Sequence, residues 1–205
     1  MMNSLRGVLV ALGTVGTLLA ASPPALASIV FVADIRGTNE VPANASTAFG
    51  TATFVLNDAM TAMTFTATIF GLDFTGSQTP ATADNLTAAH IHASPSAIPG
   101  VNGGVVWGFF GAPFNDNNPN DQLITPFAVG VGGTISGKWD APEGNNTTLT
   151  AQLPNILSGR SYINFHTTAF PGGEIRGQLV PEPATLVLVA CGLAGAGLRR
   201  FRHKA

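Results

Sequence analysis

The sequence predicts an all-β domain framed by two short apolar segments. Three observations carry this. Apolar and polar residues alternate with period two through the middle of the chain, which is the pattern of half-buried strands. Turn formers are dense, with Gly 24 and Pro 14 among 205 residues. Apolar runs without alternation stand only at the two ends. Charged residues make up 10%, against about 25% in an average soluble domain, which excludes a coiled coil and a charge-rich disordered chain.

Residues 1–27 read as a secretory signal. Arg6 and the amino terminus form a positive start, and Gly7 to Ala21 carries no charge. Ala25-Leu26-Ala27 is a small-x-small site, so cleavage between Ala27 and Ser28 is expected. The strand candidates follow in order: Ile29–Arg36, Phe49–Leu56, Thr61–Gly71, Leu86–His92, Gly104–Phe110, Gly133–Asp140, Thr147–Leu153, Ser161–Thr167 and Glu174–Val180. In the third, Met63, Phe65, Ala67 and Ile69 form an apolar face opposite Thr64, Thr66 and Thr68. Asn57-Asp58, Asn102-Gly103, Pro142-Glu143-Gly144 and Pro171-Gly172-Gly173 supply turns. No amphipathic helix is predicted. Residues 28–180 are thus read as one β domain, an antiparallel sandwich or barrel of about eight strands.

Residues 111–126 read as a long polar loop. Asp116, Asn118 and Asn120 mimic the first ligands of a calcium loop, but the glycine and distal Glu of an EF-hand are missing. Trp107, Phe109, Phe110 and Phe114 offer a sugar-stacking surface, against which stands the commoner use of alternating aromatics as core.

Residues 181–205 form a tail. Pro181-Glu182-Pro183 precedes an apolar run, with a membrane helix expected at 185–198. Arg199, Arg200, Arg202 and Lys204 then place the C-terminus on the cytoplasmic side. Charge is uneven. Residues 28–180 hold four basic and ten acidic groups, net −6, while the basic charge gathers behind residue 198. A mildly acidic domain argues against nucleic acid as a partner. The single cysteine, Cys191, lies in the tail run, so the domain has no disulfide and no thiol site.

The chemistry sits in the histidines. In His90-Ile91-His92 strand parity puts both imidazoles on one face. In Tyr162-Ile163-Asn164-Phe165-His166, Ile163 and Phe165 should face the core and His166 the outer face. If the two strands are neighbours, three imidazoles meet there, and Glu174 is close enough in sequence to add an oxygen. Imidazole suits copper, zinc, nickel or iron, with copper or zinc the cofactor considered. The alternative is a polar network that orients loops. Arg176 shares a strand face with Glu174, as for a salt bridge or a loop clamp.

Two resemblances follow from these residues. Asn39-Glu40-Val41-Pro42, Ala89-His90-Ile91-His92, Gly100-Val101-Asn102-Gly103-Gly104, Tyr162-Ile163-Asn164-Phe165-His166-Thr167 and Gly173-Glu174-Ile175-Arg176-Gly177-Gln178-Leu179 resemble the CHRD domain, first described in chordin. The resemblance implies an all-β fold, an immunoglobulin-like sandwich or Greek-key barrel, and no established activity in bacteria. The tail resembles the PEP-CTERM sorting signal of Gram-negative bacteria through Pro181, Glu182, Pro183, Arg199 and Arg200. That implies an exosortase-type sorting enzyme as partner, transient residence in the inner membrane, and delivery to the envelope surface or extracellular polymer matrix. An extracellular polysaccharide is then a further candidate partner. A fainter similarity is to copper/zinc superoxide dismutases, which place a His-x-His pair and a distant His outside a β-barrel. Their fourth copper His, zinc-site histidines and disulfide have no counterpart here. The expectation is an exported, non-enzymatic β domain without a cofactor. The alternative is a transition-metal-binding or redox domain using His90, His92 and His166.

Overall fold

Alternation becomes strand in all but one of the predicted segments. The computed structural model describes residues 28–182. Its strands are β1 (Ile29–Arg36), β2 (Phe49–Leu56), β3 (Ala62–Phe70), β4 (Leu86–Ala93), β5 (Gly104–Phe110), β6 (Leu123–Pro126), β7 (Gly132–Asp140), β8 (Ser161–Thr167), β9 (Ile175–Gln178) and β10 (Val180–Pro181). One helix, α1 (Leu149–Leu157), precedes β8. The signal segment with Ala27, residue Pro183, the expected membrane helix and Arg199 and Arg200 lie outside the described residues.

The strands form one antiparallel sheet in the order β5-β4-β8-β9-β1-β2-β3-β7-β6, with β10 also on β1. β1, β2 and β3 pair without a register shift, Ala33 opposite Ala52 and Ala52 opposite Ala67. Their apolar residues Phe31, Ile35, Phe54, Leu56, Phe65 and Ile69 point to one side and are buried, while Thr51, Thr53, Thr66 and their neighbours stay outside. The sheet then curls on itself. Phe65 of β3 meets Phe109 of β5 at a centroid distance of 4.5 Å, although these strands stand far apart in the order. Trp107 of β5 stacks on Trp139 of β7 at 5.7 Å. Curling closes a core between the two halves, as in a sandwich. Each such aromatic contributes about 1.5–3 kcal/mol by burial. The all-β expectation therefore holds.

Two segments differ from the sequence reading. Thr147–Leu153 is not a strand: Leu149–Leu157 is helical. Leu149, Ala151 and Leu153 alternate, yet Leu149, Leu153 and Ile156 also recur at helical spacing, and the core is filled by Leu149 and Ile156. Thr148 fixes the start, its Oγ1 accepting from Ala151 N at 3.2 Å. Conversely, Leu123–Pro126 inside the expected loop is β6, an edge strand paired with β7. It is short and mostly exposed, so it carries no alternation to read.

Sheet pairing runs past residue 180. Pro181 lies opposite Phe31, and Glu182 N donates to Val30 O at 2.9 Å. The first two residues of the Pro-Glu-Pro segment are thus held against β1.

Candidate metal centre

β4 and β8 are neighbours, and their register sets the site. His92 lies opposite Tyr162, His90 opposite Asn164, and Ala88 opposite His166. On its other side β4 is irregular against β5, with register shifts between Ala89 and His90 and between Ile91 and His92. Against β8 the alternation is unbroken from Ala88 to Ala93, so His90, His92 and His166 converge on one face. Ring centroids are 5.0 Å apart for His90 and His166, 5.8 Å for His90 and His92, and 6.1 Å for His92 and His166. One ring nitrogen from each residue lies within 4.8 Å of the other two.

The face they share is not the open outer face that strand parity implied. The three histidines are 4–8% exposed. Three connections cross over them, and each presents a carbonyl. His90 Nε2 meets Ala112 O at 3.0 Å, His92 Nδ1 meets Gly103 O at 3.0 Å, and His166 Nδ1 meets Pro171 O at 3.0 Å. The 111–113 connection comes this close because Gly108 has no side chain: a Cβ there would collide with Pro113 O and come within 3.0 Å of His90 Cδ2.

A carbonyl only accepts, so the ring nitrogen facing it carries the hydrogen. That assigns all three tautomers and leaves His90 Nδ1, His92 Nε2 and His166 Nε2 as lone pairs. His90 Nδ1 and His166 Nε2 stand 3.3 Å apart. His92 Nε2 is buried and has no hydrogen-bond partner. Burial pushes the imidazoles of His90 and His92 down to about 4, with neighbouring histidines adding to the shift for both. His166 is lowered as well, again by burial. At neutral pH all three are uncharged, the form that ligates metal.

The blocks singled out in the sequence build a wall beside this cluster. The Tyr162 ring stacks on His92 at 4.7 Å, nearly parallel at 9°. The Arg176 guanidinium also lies over the Tyr162 ring, 3.4 Å from its centroid. Arg176 is buried and donates to Ile98 O, Val101 O and Asn102 Oδ1 at 3.3, 2.8 and 3.1 Å. It thus clamps the 94–103 connection that carries the His92 carbonyl. Glu40 is buried nearby, and burial raises its carboxyl to about 7 despite the opposing charge of Arg176.

Several expected residues serve elsewhere. Glu174 does not join the histidines. Its Oε1 accepts from Ser46 Oγ at 2.6 Å and its Oε2 from Thr167 Oγ1. Two hydroxyl donors hold it in place, so it makes no bridge to Arg176. Trp107 and Phe109 are core residues and only Phe114 of that set is exposed, which removes the aromatic surface. Of the two arrangements expected of Arg176, the loop clamp is the one found, on the 94–103 connection; the stacking role of Tyr162 was not legible, and the bulky-polar alternation Tyr162, Asn164, His166 on one strand is its trace.

Residues 179–202 match the PEP-CTERM protein-sorting motif. That motif implies export, recognition by an exosortase-type sorting enzyme and sorting to the cell envelope. Among the described residues no helix is long and apolar enough to cross a membrane. No curated protein and no solved structure matches the chain. The model of the CHRD domain matches residues 31–179, from within β1 to the end of β9 and across all three histidines. The chain belongs to the CHRD domain family.

Proposed function

We propose that this CHRD domain is a non-enzymatic, envelope-displayed module that holds one transition-metal ion, copper or zinc, at His90, His92 and His166. One observation carries the reading. Two uncharged imidazoles turn lone pairs toward each other at 3.3 Å, with their other nitrogens committed to carbonyls. Two lone pairs at that distance repel unless a cation lies between them. Two bonds of 2.0–2.1 Å at a tetrahedral angle hold their nitrogens about 3.3 Å apart. The carbonyl partners of the opposite ring nitrogens are the usual outer shell of a ligating histidine. The non-enzymatic part rests on the same partners: each imidazole has one ring nitrogen on a backbone carbonyl, and none bonds a hydroxyl or carboxylate as in a nucleophile–base pair.

Metal content of the exported protein tests this. Wild type grown with copper and zinc should carry roughly one equivalent, as a mononuclear site demands. His90→Ala, His92→Ala and His166→Ala should each lose it while keeping a β-type circular dichroism spectrum. Equal metal content in the wild type and the three variants would refute the proposal.

A further inference from the structure

A second constellation lies on the connection between β5 and β6, past the Ala112 carbonyl that meets His90. Most polar groups there are satisfied. Glu143 Oε1 accepts from Asn117 N and Asn118 N at 2.9 and 2.7 Å. Its Oε2 accepts from Trp107 Nε1 at 3.2 Å and Asp140 N at 3.1 Å. Asn120 Oδ1 accepts from Gln122 N at 3.3 Å. So Asn120 Oδ1 is engaged within the loop itself rather than beside Asp116 in the order of an EF-hand loop.

Asp116 is different. It is 0% exposed. Its Oδ1 receives one long bond from Asp121 N at 3.4 Å, and its Oδ2 has no donor. Asp121 Oδ1 is also buried without a donor. Both oxygens border the space beside Gly137, where a Cβ would lie 2.8 Å from Asp116 Oδ2 and 3.7 Å from Asp121 Oδ1. Lys138 does not serve these atoms. Its Nζ holds the other oxygen of Asp121, Oδ2, at 3.1 Å and Asp140 Oδ2 at 3.0 Å. Two buried, donorless carboxylate oxygens converging on one space need a cation or a proton.

We infer that Asp116 and Asp121 bind a calcium ion. The donors are all oxygen, which selects a hard cation over copper or zinc. Only two carboxylates contribute, so carbonyls and water complete the shell, which calcium tolerates and magnesium's strict octahedron disfavours. Few charged ligands also mean weak binding, about 10⁻⁴–10⁻³ M, the range of extracellular modules. That range suits an exported protein, because the inference concerns the fold of the domain and not its histidines.

Trp107 and Trp139 make terbium the natural probe, since their Nε1 atoms donate to Glu143 Oε2 and O beside the site. In the full exported chain, terbium emission under tryptophan excitation should saturate at about one equivalent and fall on addition of millimolar calcium. Asp116→Asn and the more exposed Asp121→Asn should each weaken terbium at least tenfold, and Asp58→Asn in the turn between β2 and β3 should leave it unchanged. Calcium should raise the Tm of wild type but not of Asp116→Asn, which remains readable because removing an uncompensated buried charge does not threaten folding. Absence of saturable emission, terbium affinity unchanged in both Asp variants, or a Tm blind to calcium would overturn the site in favour of a proton shared by the two carboxyls.

Discussion

Replacing Arg176 by Met keeps the length of the side chain and removes the guanidinium. Arg176 is 1% exposed, so what it leaves behind stays buried. Val101 O and Asn102 Oδ1 lose their donor, while Ile98 O keeps Val101 N at 3.0 Å. Each acceptor left unsatisfied in a part-buried position costs about 1 kcal/mol, the low end of the range for buried groups. The cation over the Tyr162 ring at 3.4 Å is also lost, worth about 2 kcal/mol when desolvated. Against this stands relief from desolvating the charge, so the expected net loss is about 3–5 kcal/mol, as for other broken buried ionic networks. A domain of this size has on the order of 5–15 kcal/mol in total, so the variant should fold but denature early. Urea unfolding of the exported protein measures the difference directly. Arg176→Lys should recover little, because one ammonium cannot reach three acceptors in the planar fork. The loss should grow above about pH 7. There Glu40, raised to about 7 by burial against the opposing charge of Arg176 and a backbone hydrogen bond from Val41, must ionise without its counter-charge. A destabilisation below about 1 kcal/mol, or full recovery with Lys, would refute the clamp.

Two further changes test the neighbouring geometry. Gly108→Ala should push Pro113 away from β5 and cost about 1–3 kcal/mol by overpacking, and it should weaken metal binding at His90 because the Ala112 carbonyl moves with Pro113; denaturation and metal titration of the same sample read both. Glu40→Gln should flatten one component of the stability–pH curve. Its folded carboxyl, near 7, lies above the usual value of 4.5, so the stabilising proton is fully present below about 4.5 and lost as pH rises through about 7, and wild type minus variant should fall across that window.

Much of the fold was legible because its signals are local. Alternation of Met63, Phe65, Ala67 and Ile69 against threonines needs nothing but the pleat to become β3. The failures also have local causes. Leu149, Ala151 and Leu153 fit period two as well as a helix, and the deciding term was burial of Ile156, three residues beyond the alternating run. β6 was missed because an exposed edge strand is specified by its partner, β7, rather than by its own pattern. For the site, strand parity put His90 and His92 together and His166 opposite Ile163. It failed on exposure. Whether a strand face is open or roofed depends on where connections run, and the 94–103, 111–113 and 171–173 connections cross it.

Those connections explain why the quoted sequence blocks stand so far apart in the chain. Asn102 binds Arg176, which covers Tyr162, which covers His92. His92 in turn bonds Gly103, one residue beyond Asn102, and Gly103 N donates to Tyr162 Oη at 3.1 Å. The path closes on itself through three connected segments, so each holds the others in register. A polar network of this kind is worth retaining only when every member is satisfied. Here the exceptions are few and local: His92 Nε2 on the histidine side, with Asn164 Oδ1 and Glu40 Oε1 grouped around Gly173. The ring from Asn102 through Arg176, Tyr162 and His92 to Gly103 leaves one side-chain nitrogen unpartnered, His92 Nε2, and that is the nitrogen proposed to face the ion. The stacked Arg176 and Tyr162 therefore act as positioning residues, fixing the plane in which His92 offers that nitrogen.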